Sequence, residues 1–150
     1  MRDSSKARLS AAATCLNYNL RRTSRLVNRY YEQVLRPAGL RAGQFNLMVP
    51  VGLRGALSIT QLAELLGMER SALARNLKPL ERKGWVTVTA GADRRMRLVR
   101  LTREGQLLLH TAYPFWERAQ RELTSALTGS VLRGLLKGLH AASTAARTED

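Results

Sequence analysis

Residues 58–102 constrain this chain more tightly than any other stretch: SITQLAELLGMERSALARNLKPLERKGWVTVTAGADRRMRLVRLT. Ser58 stands where a hydroxyl can accept from the free N–H groups of a first helical turn. Ile59, Leu62, Ala63, Leu65 and Leu66 follow at helical spacing, and Gly67 supplies a stop. After the short corner Gly67-Met68-Glu69, a second helix is predicted over 70–83. Leu73, Leu77 and Leu80 recur at intervals of four and three, which turns them inward together. That leaves Ser71, Arg75, Lys78 and Arg82 on the opposite face, with Asn76 on the flank. Pro79 removes one helical hydrogen bond, so a bend or a loosened last turn is expected there.

Gly84 closes this helix, and residues 85–89 alternate as a strand does. Ala90-Gly91-Ala92-Asp93 is turn chemistry, and residues 94–101 return as a second strand. The hairpin tip carries Arg94, Arg95 and Arg97. Asp93 beside them is expected to order the tip by a local ion pair. Residues 69–103 hold ten Lys and Arg against three Asp and Glu, which is half of the chain's net charge of +14. Charge gathered on one helix face and one hairpin tip points to a nucleic-acid partner. Two helices, a tight corner and a basic hairpin make a winged helix-turn-helix. Arg75, Ser71 and Asn76 are the candidates for base edges in the major groove. Arg70, Lys78, Arg82, Arg94, Arg95 and Arg97 are the candidates for phosphates or the minor groove.

ITQLAELLGMERSALARNLKPLERKGWV followed by ADRRMRLVRLTREG resembles the multiple antibiotic resistance regulator (MarR) family of bacterial repressors. The DRR…LT…G ending is the most specific part, and LRPAGLRAGQFNLM fits that family's approach to its second helix. The resemblance runs from Leu16 to Leu123. It implies a homodimer, built from the outer helices, that binds double-stranded DNA at a pseudo-palindromic operator. It also implies release by a small, aromatic or anionic ligand held between dimer helices and winged module. By position the candidates for that ligand are Tyr18, Arg22, Arg25, Phe45, Met48, Tyr113 and Trp116; the apolar members also suit a plain core. In the hydroperoxide-sensing branch a cysteine in the first helix is oxidised and tyrosines bond to it. Cys15 with Tyr18, Tyr30 and Tyr31 invites that reading, yet against SRLVNRYYEQVL it falls about two residues too early. A small structural cysteine is the better account, and a ligand is favoured over an oxidant.

The outer regions suit pairing. A long helix is expected over 7–35, with Leu9, Ala13, Leu16, Leu20, Ser24, Val27, Tyr31 and Val34 as its stripe. Its other side carries Arg21, Arg22, Arg25 and Arg29, either a solvated face or one with a phosphate or pocket role. A second helix is expected over 43–53, bent by Pro50, and a fifth over 103–127, capped by Thr102 and interrupted by Pro114. A short last helix is expected over 131–139, before a frayed alanine-rich tail. Neither outer stripe has an obvious place inside one winged module, which favours a homodimer. The expected architecture is mostly α: a winged helix-turn-helix at 41–104, flanked by dimerisation helices at 1–40 and 105–150, in one domain.

Other classes fare worse. His110 and His140 stand in no motif with a carboxylate or cysteine at useful spacing, so no catalytic residues are expected. No HExxH, paired CxxC, Walker loop or GxGxxG occurs, so neither metal nor cofactor is expected. One cysteine fits a reducing cytoplasm, and no apolar run approaches a membrane span. A non-specific architectural or RNA-binding protein would share the charge but not a sequence preference. An adaptor using the first helix as its surface would bind DNA no better than its charge predicts.

Overall fold

The computed structural model describes Ser10, residues 12–93 and residues 96–147. Six α-helices and a three-stranded antiparallel sheet are seen there: α1 (Leu16–Leu35), α2 (Ala42–Arg54), β1 (Leu57–Ser58), α3 (Ile59–Leu66), α4 (Arg70–Arg82), β2 (Val86–Ala90), β3 (Arg97–Leu101), α5 (Arg103–Ser125) and α6 (Gly129–Ala145). This is the mostly helical winged helix-turn-helix expected from the sequence.

Local chemistry sets the boundaries. Ser58 Oγ accepts from the Gln61 N–H at 3.1 Å, and Gln61 Oε1 accepts from the Ser58 N–H at 2.9 Å. This reciprocal pair starts α3. Thr102 and Thr128 cap α5 and α6 in the same position, accepting from Gly105 and Val131. At the end of α4 the Trp85 N–H reaches the Leu80 carbonyl and the Gly84 N–H reaches that of Glu81, both at 2.9 Å. Gly84 makes this possible with φ 71°, a conformation costly for side chains with a Cβ. Pro79 does not break α4, which runs on to Arg82, with the Lys83 N–H reaching the Pro79 carbonyl at 3.2 Å. Pro50 and Pro114 likewise lie inside continuous helices.

Two expectations at the ends need correction. The helix expected over 7–35 is not continuous: Ser10 is helical, but the unbroken helix α1 starts only at Leu16; residues 1–9 and 11 lie outside the described residues. Ahead of it, Ala12–Thr14 is a 3-10 turn whose Ala13 carbonyl accepts from the Asn19 side chain at 2.9 Å. The same Asn19 amide also reaches the Cys15 carbonyl, and such local bonds compete with helix extension. The last helix is longer than expected, because AASTA continues it to Ala145. Alanine's helix propensity outweighs the expected fraying.

The sheet order is β1-β3-β2, with Leu57 opposite Val99 and Val88 on the other side of Val99. Around Val99 gathers the core: Leu62, Leu73, Leu77 and Leu80 from the helix pair, Met48 and Val51 from α2, Leu35 from α1 and Ala112 from α5. The first helix is therefore not wholly outside the winged module. Its last turns share the core, and the Tyr31 hydroxyl donates to Gln120 Oε1 on α5 at 2.6 Å. The Tyr30 hydroxyl donates to the Glu122 carboxylate beside it. Burial raises the Tyr31 hydroxyl above its ordinary pKa of 10.0. The hydrogen bond to Glu122, with some burial, does the same to Tyr30.

Candidate nucleic-acid interface

The reading face begins with three leucines. Leu73, Leu77 and Leu80 are at most 2% exposed, which fixes the rotation of α4 about its axis. Arg70, Ser71, Arg75, Asn76, Lys78 and Arg82 are all exposed as a result. Among the described residues the ion pairs join Arg118 to Glu122 and Arg121 to Glu117, both within α5. The α4 cations thus keep their charge available to an outside anion.

The wing is tied at its root. Thr102 Oγ1 donates to the Gly84 carbonyl at 2.5 Å, and the Thr102 N–H donates to the Trp85 carbonyl at 3.1 Å. A Cβ on Gly105 would collide with that Trp85 carbonyl, so α5 approaches the wing as only glycine permits. Lys83 Nζ lies 4.3 Å from the centre of the Trp85 ring, a cation–π contact that the sequence did not signal. Arg97 Nη2 donates to the Val88 carbonyl at 3.3 Å, so this exposed side chain lies across its own hairpin. Arg94 and Arg95 lie outside the described residues.

A second feature opens between α2, α3, α5 and the end of β3. It is an open groove of ≈1010 Å³ with Phe45, Tyr113 and Trp116 along it. The Phe45 and Trp116 rings stack at 6.0 Å, and Tyr113 lies 5.5 Å from Trp116. Three of the seven ligand candidates thus come together. Met48 is fully buried in the core, while Tyr18, Arg22 and Arg25 are exposed on α1, no residue of which lines the groove. Leu65, expected to face inward, is 45% exposed and forms part of the groove wall. The groove's polar side chains include Asn46, Gln106 and His110, beside the Tyr113 hydroxyl and the Trp116 indole.

Cys15 is exposed at the N-terminus of α1. The hydroxyls of Tyr30 and Tyr31 are bonded to α5 side chains. Among the described residues no three His, Cys, Asp or Glu side chains gather as a metal site, and no helix is long and apolar enough to cross a membrane.

Comparison with known proteins agrees with this geometry. A sequence profile of the MarR family matches residues 40–96, which span the helix pair and most of the wing. The transcriptional regulator MosR of M. tuberculosis, solved in complex with DNA, is 36% identical; the match covers 89% of this chain and 99% of MosR, with a TM-score of 0.78. The transcriptional repressor CouR, bound to a 23-mer DNA duplex, is 26% identical, covering 87% of this chain and 94% of CouR, with a TM-score of 0.78. The HTH-type transcriptional regulator YwoH of Bacillus subtilis is 29% identical over 91 residues, 61% of this chain and 66% of YwoH. With a leucine-anchored reading helix, a wing fixed at its root and identity to MosR over nearly all of that protein, this chain belongs to the MarR family of transcriptional regulators.

Proposed function

We propose that this regulator is a repressor that binds a pseudo-palindromic operator as a homodimer and leaves it when a small aromatic molecule occupies the groove. The observation that carries the reading is the outward face of α4. Arg75 stands opposite leucines that cannot turn, so its guanidinium projects toward a major groove, where it can fork onto a guanine. Ser71 and Asn76 serve the neighbouring base edges. Arg70, Lys78, Arg82 and the wing arginines Arg94, Arg95 and Arg97 hold the phosphates or the minor groove. The relatives MosR and CouR, each solved with DNA, support the same partner.

Exposed apolar surface supports the homodimer. Val131, Leu135 and Leu136 on α6 are 53%, 49% and 57% exposed, and Leu16 on α1 is 61% exposed. A second copy of the chain covers such stripes with their like. Phe45, Tyr113 and Trp116 support an aromatic ligand. With Asn46, Gln106 and His110 among the polar lining and no arginine beside them, the groove suits an uncharged ring better than a carboxylate.

The test is selection of preferred duplexes from a randomised pool, then titration of the wild type and Arg75→Ala. The variant is expected to lose about 1–3 kcal/mol on the selected duplex and to relax preference at one base pair per half-site. Equal loss on selected and scrambled duplexes would turn the reading into that of a non-specific basic binder.

A further inference from the structure

Half of the chain's net charge lies outside the reading helix and wing, and most of that half is in one place. Residues 21–41 hold six arginines against the single acid Glu32. At about 100° per residue, Arg22, Arg25 and Arg29 of α1 and Arg36, its C-cap residue with helical backbone angles, fall within about 60° of one another. All four are exposed. The stripe of Leu16, Leu20, Val27, Tyr31 and Val34 lies about half a turn away by the same count. Val34 of that stripe is buried and Tyr31 packs against the core within this chain, and Leu16 and Leu20 are left exposed to a second copy; either covering leaves the arginine ridge open. At its C-terminal end, where the chain turns from α1 into α2, Arg41 joins Arg29 and Arg36 around a concavity of ≈440 Å³. Glu32 lines it too, yet among the described residues neither it nor these arginines form an ion pair. The ridge from Arg22 to Arg36 extends about 21 Å at the helical rise. One DNA strand offers a phosphate about every 3.4 Å of axis, so the ridge can meet several.

We infer that the arginine ridge of α1, ending at Arg41, is a third DNA-contacting surface that holds phosphates of the bound duplex and reads no base. The inference rests on the DNA-binding reading and adds a contact outside the winged module. It explains why the arginines of this helix stand away from the ligand groove. Phosphate oxyanions suit them because several guanidinium groups converge where a single carboxylate is available.

The test uses the full chain and duplexes of about 40 base pairs, long enough to run past two half-sites. One carries a selected core and the other a scrambled core. Arg29→Gln, Arg36→Gln and Arg41→Gln are combined, with Arg29→Gln and Arg41→Gln also made singly in case the combination fails to fold. Each lost contact is expected to lower the slope of log affinity against log salt by about 0.9 per protomer on both duplexes. Preference for the selected core should remain that of the wild type. An unchanged slope, or a lost preference, overturns the inference. So does a thermal shift by inorganic phosphate that the substitutions abolish while the DNA slope stays put, since the site then serves a free anion. Arg75→Ala runs in parallel. If the wild type itself prefers no selected sequence, the operator reading fails; if only the ridge variants behave as wild type, the ridge alone fails.

Discussion

The winged module and the terminal helices solve the same problem in opposite ways. In the module, α2, α3 and α4 each turn apolar side chains (Met48, Leu62, Leu73, Leu77 and Leu80 among them) into the core around Val99, and Leu62, Leu73 and Leu80 are fully buried. On α6 none of the described residues is buried, although Val131, Leu135, Leu136 and Leu139 are large apolar side chains, all of them exposed. The module closes its apolar surface within one chain; α6 presents its surface outward. A regulator divided this way can keep its reading helix rigid while its assembly depends on concentration.

The sharpest way to break this contrast is to charge the open face. Leu135→Glu with Leu136→Glu would bury unpaired carboxylates in a self-paired interface, at about 3–5 kcal/mol for each one left uncompensated. Sedimentation is expected to show a dimer for the wild type and a monomer for the variant. A variant that still sediments as a dimer would move the interface elsewhere. Leu77→Ala tests the closed side. It opens a cavity in a site 2% exposed, and urea unfolding should show a loss of about 2–5 kcal/mol. Leu139→Ala, on the open face, should cost much less when measured below the dimer dissociation constant.

Gly105→Ala probes the seam between the two regions. Its methyl group meets the Trp85 carbonyl, a backbone atom that cannot swing aside. Overpacking of this kind costs about 1–3 kcal/mol, read as a lower urea midpoint. The smallest effect is expected at Tyr31. Tyr31→Phe deletes the bond to Gln120 that ties α1 to α5, worth about 0.5–1.5 kcal/mol. The fold favours the neutral phenol, because its pKa lies above 10.0 when folded. Its stabilising effect is therefore complete below that value and is lost as pH rises through the raised one. Unfolding followed between about pH 9 and pH 11 should show a steeper decline for the wild type than for Tyr31→Phe.

Much of this was legible in the sequence wherever a residue's role depends on near neighbours. The rotation of α4 follows from Leu73, Leu77 and Leu80, and the start of α3 follows from Ser58 and Gln61. Strand β1 was missed because Leu57 and Ser58 are too few to show alternation; the pairing with Val99 and Leu98 defines it. Leu65 and Leu66 share one apolar run, and only the packing of α3 decides that Leu65 looks into the groove. Met48 and Phe45 were alike as pocket candidates; α2 buries both in the core, but only Phe45 also lines the groove, stacked on Trp116. Arg36 and Arg41 drew no notice because a loop, not a helical repeat, brings them together.

The fastening of Thr102 and Gly105 to the Gly84-Trp85 backbone makes the wing a lever whose handle is α5. Gln106, Leu109, His110, Tyr113 and Trp116 of α5 wall the groove, beginning one residue after that fastening. No slack chain lies between the two. A strand of five residues reaches about 17 Å, so a tilt of about 10° at its root sweeps the hairpin tip through about 3 Å. That is the length of a hydrogen bond: on the proposed reading, a guest wedged among the rings of the groove would need to shift α5 only slightly to lift the tip off a phosphate.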